Sequence, residues 1–149
     1  MEKKNLVIIN NERIYKDNDG FYCDNLYLKI LPEKLNENFN VQYIARKSKK
    51  KGGQNINLIN IKIASNIFNF INFIIKSFTT HSKYLIISIT PYTFISCILL
   101  FIFRKKIYLY LRSDGHEEWK HILGKWSVWI FHLMHLICIS ISEVIVCNK

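Results

Sequence analysis

The sequence predicts an α/β fold with a doubly wound parallel sheet covered by helices. Short apolar segments alternate with segments of helical periodicity, in the order β-α-β and then β-α-β-α-β-α-β, which is typical of parallel sheets. Residues 6–9 and 84–89 are apolar almost throughout, as expected of strands that are covered on both faces. Half of the 149 residues are hydrophobic, which allows a sizeable core and excludes intrinsic disorder.

The first half of the chain begins with a predicted buried strand at 6–9. The polar segment 10–24 follows as a predicted loop. Apolar side chains at helical spacing predict a helix over 25–38, which Pro32 bends or divides. A second strand is predicted at 41–45.

A basic loop, 46–53, leads from this strand to a segment of alternating character. Apolar and polar side chains alternate over 55–63 with one slip, which predicts a single strand. Apolar residues at helical spacing then predict a helix over 65–78, with Ser65 as its N-cap.

The second half continues the alternation of strands and helices. A buried strand is predicted at 84–89, and Pro91 can occupy the first turn of a helix that runs to about Phe103. A strand at 107–111, a helix over 119–136 and a final strand at 144–146 complete the predicted order.

One uncharged segment, 84–103, is long enough to cross a bilayer. Its Thr90-Pro91 pair, however, divides it into a strand and a helix. We therefore favour two soluble elements, with a small membrane protein as an alternative. The apolar run at 6–9 is too short for the core of a signal peptide.

The chain carries 21 basic against 11 acidic side chains, a net charge of +10, which favours an anionic partner. The basic run Arg46–Lys51 predicts contact with phosphates or an anionic membrane surface, unless it is only a solvated loop. No aromatic residues for base stacking are interleaved with it, so we expect no nucleic acid partner.

No cofactor or metal is predicted. No GxGxxG motif follows the first strand, and the spacing of His116-Glu117 and His121 differs from the zinc motif HExxH. The four cysteines contain no CxxC pair, which favours reduced thiols and a cytoplasmic location.

The run Arg112-Ser113-Asp114-Gly115-His116-Glu117-Glu118 is the most informative segment for function. Ligands of doubly wound sheets lie beyond the carboxyl ends of strands, and this run follows a predicted strand. A histidine there can act as general acid or base, and Arg112 can bind a phosphate or carboxylate. Alternatively, the run is a helix N-terminus in which Asp114 is the cap and the glutamates favour the helix dipole.

The strand and run Tyr108-Leu109-Tyr110-Leu111-Arg112-Ser113-Asp114-Gly115-His116-Glu117 resemble the N-terminal half of GT-B glycosyltransferases, of a family 4-like kind. The likeness is closest to retaining enzymes that use nucleotide sugars, and it covers the whole chain with loose motifs. It implies a Rossmann-like, acceptor-side domain over residues 1–149. The family's nucleotide sugar is held by a C-terminal domain, so the resemblance implies a truncated or split enzyme that is inactive alone.

The resemblance also implies which residues form the site. His116 is expected to be catalytic, and the substrate-binding residues are expected to be Asn11, Glu12, Arg13, Arg112, Asp114 and Glu117. The implied activity is transfer of a sugar from a nucleotide sugar to a glycan or lipid-linked acceptor, peripherally at the cytoplasmic face of a membrane. A non-catalytic α/β binding module is the alternative from another functional class.

Overall fold

The computed structural model describes residues 3–80, 83–112 and 115–146. The chain is an α/β protein with helices and a mixed sheet of mostly parallel strands. It divides into two compact units, Met1–Ser82 (unit 1) and Lys83–Lys149 (unit 2).

Unit 1 combines parallel and antiparallel strand pairs. Strand β1 pairs in parallel with β3, and β3 in parallel with β5, whereas β2 is antiparallel to both β1 and β4. The elements are β1 (Lys4–Asp17), β2 (Gly20–Cys23), α1 (Leu26–Asn38), β3 (Phe39–Lys47), β4 (Gln54–Ile56), β5 (Ile61–Ala64) and α2 (Ile67–Ser77).

The core of unit 1 lies along β1 and β3. Val7, Ile8 and Ile9 of β1 and Ile44 of β3 are completely buried, together with Phe70 on the inner face of α2. The continuously apolar sequence of the first strand is therefore explained by burial.

The predicted loop at 10–24 is wrong, because β1 continues to Asp17 and forms a hairpin with β2. Tyr15 and Tyr22 are directly opposite each other in this hairpin, and Ile14 is completely buried. The segment was predicted as a loop because most of its side chains are polar. Its backbone nevertheless pairs as a strand, and only a few of its side chains face the core. The hairpin turns just before Gly20, whose φ of 141° favours glycine.

The single strand predicted at 55–63 is also wrong. The structure has two short strands, β4 and β5, with residues 57–60 between them. The slip in the alternation marks this break: Leu58 is buried, whereas Ile59 is almost completely exposed.

The two helices of unit 1 lie close to their predicted positions. Asn25 caps α1 by accepting a hydrogen bond from the backbone N–H of Tyr27, and Pro32 is accommodated inside the helix. Helix α2 is capped by Asn66 rather than by Ser65, which lies one residue earlier.

The described part of unit 2 has three parallel strands with helices in their connections. Strand β7 pairs with β6 and with β8. The elements are β6 (Lys83–Ile87), α3 (Pro91–Ile102), β7 (Lys106–Leu111), α4 (Gly115–Leu123), α5 (Lys125–Ile141) and β8 (Glu143–Val146).

Helix α3 begins where the Thr90-Pro91 pair predicted. Thr90 and Thr93 form a capping box, in which each side chain accepts from the backbone N–H of the other residue. The 84–103 segment is therefore divided into a strand and a helix. Among the described residues, no helix is both long enough and apolar enough to span a membrane.

The long helix predicted at 119–136 is instead two helices. Gly124, with a φ of 90°, separates α4 from α5. This backbone conformation strongly favours glycine, so the chain turns where the apolar periodicity alone suggested continuity.

Helices α3 and α5 pack against each other through buried thiols. Cys97 of α3 and Cys138 of α5 are joined by a side-chain hydrogen bond. This hydrogen bond, followed by burial, raises the pKa of the Cys138 thiol. Cys23, Cys97 and Cys138 are all buried free thiols.

Candidate functional site

In unit 1, the predicted binding residues lie at an irregularity in β1. The pairing of β1 with β3 shifts register between Ile9 and Arg13, so the intervening Asn10, Asn11 and Glu12 form a bulge. A bulge redirects side chains at the point where regular pairing is interrupted. The predicted residues therefore lie in a strand irregularity and not in a loop.

Asn10 holds the bulge from inside. Its amide donates to the Tyr43 hydroxyl at 3.2 Å, and its side-chain oxygen accepts from the Glu12 backbone N–H at 3.1 Å. Asn10 and Tyr43 are both buried, so these bonds satisfy polar groups that cannot reach bulk water. Asn10 is thus an organising residue that the sequence prediction missed.

The outer side of the bulge presents polar side chains to solvent. Asn11 is half-buried and accepts a hydrogen bond from the Arg46 guanidinium at 3.2 Å. Glu12 and Arg13 are exposed. This part of unit 1 therefore has the polar groups needed to contact a hydroxylated or charged ligand.

The basic run at 46–51 is partly engaged in contacts within unit 1. Lys51 pairs with Asp17 at 3.0 Å and lies 4.1 Å from the centroid of the Tyr22 ring. The hydrogen bond from Lys51 lowers the pKa of the Asp17 carboxyl below its usual value. Since Arg46 is bonded to Asn11, the exposed Lys49 and Lys50 are better placed for an external anion.

In unit 2, the carboxyl ends of β6 and β7 lie side by side. The backbone N–H of Ser88, just after β6, donates to the carbonyl of Tyr110 in β7 at 3.0 Å. Arg112 follows β7 directly and is half-buried. Its position agrees with the prediction of a polar group beyond the strand end.

His116 lies in the first turn of α4 and packs against α5. Its Nε2 atom is 3.2 Å from Nδ1 of His132, a hydrogen bond in which one imidazole donates and the other accepts. The centroid of its ring is 4.8 Å from that of Phe131, edge to face, and 5.3 Å from that of His135. We call His116, His132 and His135 the histidine cluster.

The corner at Gly124 brings this cluster together. The buried Ser127 hydroxyl lies 2.9 Å from the carbonyl oxygen of Trp119 and 2.7 Å from that of Gly124, and can donate to either. This hydroxyl therefore links the first turn of α5 to the middle of α4 and to the residue between the two helices. A continuous helix would separate residues 116 and 132 by about 24 Å, at 1.5 Å per residue.

Gly115 is required for the close approach of the two helices. A Cβ atom at this position would overlap the Phe131 ring, 2.7 Å from its Cε2 and closer still to its Cζ. Phe131 is buried against His116 and Trp119. The absence of a side chain at residue 115 thus allows His116 to pack on α5.

The predicted site residues are distributed between the two units. Asn11, Glu12 and Arg13 belong to unit 1, whereas Arg112, His116 and Glu117 belong to unit 2. Asp114 lies outside the described residues. Glu117 is exposed, lies in the first turn of α4 and pairs with Lys120 of the same helix at 3.4 Å.

His132 is the functional candidate that the sequence prediction missed in unit 2. His132 and His135 are three residues apart in the predicted helix over 119–136. No local sequence pattern related these two histidines to His116. Within the described parts of the chain, no set of three or more His, Cys, Asp or Glu side chains is arranged to hold a metal ion.

Comparison of the chain with protein-family models, with curated proteins and with solved structures gave no match.

Proposed function

We propose that this chain is the acceptor-binding part of a GT-B glycosyltransferase, with the Rossmann-like fold of that class. The activity would be transfer of a sugar from a nucleotide sugar to a glycan or lipid-linked acceptor. One observation carries the proposal: Arg112 and His116 follow the carboxyl end of the parallel strand β7 in unit 2. Ligands of open α/β sheets lie at this kind of edge.

In this proposal His116 acts on the acceptor hydroxyl that receives the sugar. An imidazole can accept or donate a proton at such a group. The hydrogen bond between His116 and His132 orients the ring, and the edge-to-face contact with Phe131 holds it from a second side. His132 is therefore a positioning residue for His116.

Arg112 supplies the charge for recognition. A guanidinium binds phosphate or carboxylate through two parallel hydrogen bonds, which suits an acidic glycan or the phosphate of a lipid-linked acceptor. In the proposed enzyme, the nucleotide sugar is bound by the separate C-terminal domain of this class. The protein would act peripherally, at the cytoplasmic face of a membrane.

Binding of the full chain to an array of neutral and acidic glycans, alongside phosphopeptides, tests the proposal. We expect saturable binding to glycans that weakens about tenfold in His116→Ala and in Arg112→Ala, the loss of one good hydrogen bond each. His121→Ala is the matched control, because His121 lies on the same helix, is exposed and has no contact with Phe131 among those described.

Two results would contradict the proposal. One is binding to glycans that His116→Ala and Arg112→Ala leave unchanged. The other is binding confined to phosphopeptides, which would favour a non-catalytic binding module.

A further inference from the structure

Helix α5 exposes a wide apolar face that unit 2 does not cover. Its buried stripe consists of Ser127, Phe131, Met134 and Cys138, which face the rest of the unit. The opposite side carries large apolar side chains, and Trp126 and Trp129 are 67% and 73% exposed. We call this surface the outer face of α5; it consists of Trp126, Trp129, Ile130, Leu133 and Leu136.

The end of α3 also carries exposed apolar side chains. Helix α3 packs against α5, and its last turn and C-cap expose Phe101, Ile102 and Phe103. Contiguous exposed apolar patches on soluble proteins mark sites of contact with a protein or a membrane. Scattered single residues need no explanation, but five large apolar side chains exposed on one face of α5 do.

The charges around the surface indicate an anionic occupant. Neither α3 nor α5 contains an acidic residue. Exposed Lys125 begins α5, and exposed Arg104 follows α3. Glu143 is paired with Lys106 at 2.9 Å, so this carboxylate is already engaged.

This composition matches a helix that lies in a membrane interface. Such helices place tryptophan and leucine in the boundary between headgroups and acyl chains, with lysine and arginine at the edges. Tryptophan is enriched at membrane–water interfaces because its ring is apolar with one polar N–H group. With 17 residues, α5 is about 25 Å long and its inner stripe is packed on unit 2, which suits a helix parallel to the surface.

We propose that the outer face of α5, with the end of α3, binds the surface of an anionic phospholipid membrane. The basic run at 46–51 is then not the main attachment site. This inference does not depend on sugar transfer, so either proposal can fail without the other.

The test uses the full chain with vesicles of phosphatidylglycerol and phosphatidylcholine, and with phosphatidylcholine alone. We expect co-sedimentation with the anionic vesicles and weak binding to the neutral ones. Phospholipids brominated in their acyl chains should quench tryptophan fluorescence, since Trp126 and Trp129 would lie at the depth of the upper acyl chains. This quenching is measured on the unmodified protein and needs no variant.

The variant Trp126→Ser/Trp129→Ser should reduce the vesicle partition coefficient at least about tenfold, because each large apolar side chain contributes strongly when buried. Phe68→Ser is the matched control: Phe68 is an exposed aromatic residue on α2 of unit 1, and its loss should leave partitioning unchanged. Circular dichroism confirms that each variant is folded.

A pair of charge variants distinguishes the two possible attachment sites. Lys125→Gln/Arg104→Gln should weaken binding to anionic vesicles several-fold, whereas Lys49→Gln/Lys50→Gln in the basic loop should have a smaller effect. The opposite order would overturn the assignment. Absence of vesicle binding or of quenching would also overturn it, as would a dimer in solution that Trp126→Ser/Trp129→Ser dissociates.

Discussion

Gly115→Ala tests whether the packing of α4 on α5 depends on the missing side chain. The new methyl group would lie 2.7 Å from Cε2 of Phe131 and closer to Cζ, whereas carbon atoms in contact are normally about 3.5–4.0 Å apart. The ring would have to move by roughly an ångström or more. It is hemmed in by Trp119 and His135, whose ring centroids are 5.3 and 6.0 Å away.

Overpacking of this kind costs about 1–3 kcal/mol. Alanine has a better helix propensity than glycine, which offsets up to about 1 kcal/mol of this cost in a helix interior and less in the first turn. We therefore expect a net loss of about 1–2 kcal/mol in the free energy of unfolding. At about 2–4 °C per kcal/mol for a chain of this size, Tm should fall by about 2–8 °C.

The assay is thermal unfolding followed by circular dichroism, within a double-mutant cycle. Phe131→Leu removes the ring, so Gly115→Ala in that background should cost less than about 0.5 kcal/mol. Gly53→Ala is the control, because a Cβ atom there meets nothing within 4 Å. An equal cost of Gly115→Ala with and without the Phe131 ring, or a stabilisation of the wild-type background, would refute the reasoning.

Three further outcomes are expected from the described contacts. Gly52→Ala should lower the free energy of unfolding by about 3 kcal/mol in denaturant titrations. The new Cβ would overlap the backbone of Cys23, which cannot move aside by rotation as a side chain can. A loss no larger than that of Gly53→Ala would contradict this. Cys97 and Cys138 should resist alkylation in the native protein and react once it is unfolded, as measured by peptide mass spectrometry; rapid native labelling would disprove their burial. The hydrogen bond from Lys51 lowers the pKa of the Asp17 carboxyl in the folded protein. The ion pair therefore stabilises the fold above the pKa of the unfolded state, and this stabilisation is lost as the pH falls through the pKa of the folded state. The Tm difference between the wild type and Asp17→Asn should therefore shrink below about pH 4, and a difference that persists at lower pH would contradict this assignment.

Much of the parallel core could be predicted from the sequence, because its strands are recognised by local composition. The apolar segment at 6–9 lies in β1, the segment at 84–89 contains most of β6, which ends at Ile87, and Thr90-Pro91 marks the start of α3. These features depend on residues adjacent in the chain. A capping threonine, an N-terminal proline and an uninterrupted apolar run carry the same meaning in almost any surroundings.

The hairpin of β1 and β2 could not be predicted in this way. Most side chains between residues 10 and 20 are polar, which predicts a loop. The segment is extended because its backbone pairs with a second strand. The break at 57–60 has the same origin, since β4 and β5 each pair with a different neighbour. Strand pairing is non-local, so local alternation gives only weak evidence for it.

The candidate site likewise has one part that the sequence predicts and one part that depends on tertiary contacts. By itself, the sequence determined that a polar run with Arg112 and His116 follows the strand β7, because strand and polar run are contiguous in the chain. Only the tertiary structure decided that His116 contacts His132. This contact requires the left-handed backbone at Gly124 and the absence of a side chain at Gly115. The role of each glycine depends on how α4 packs against α5, and the composition of either helix alone does not reveal it.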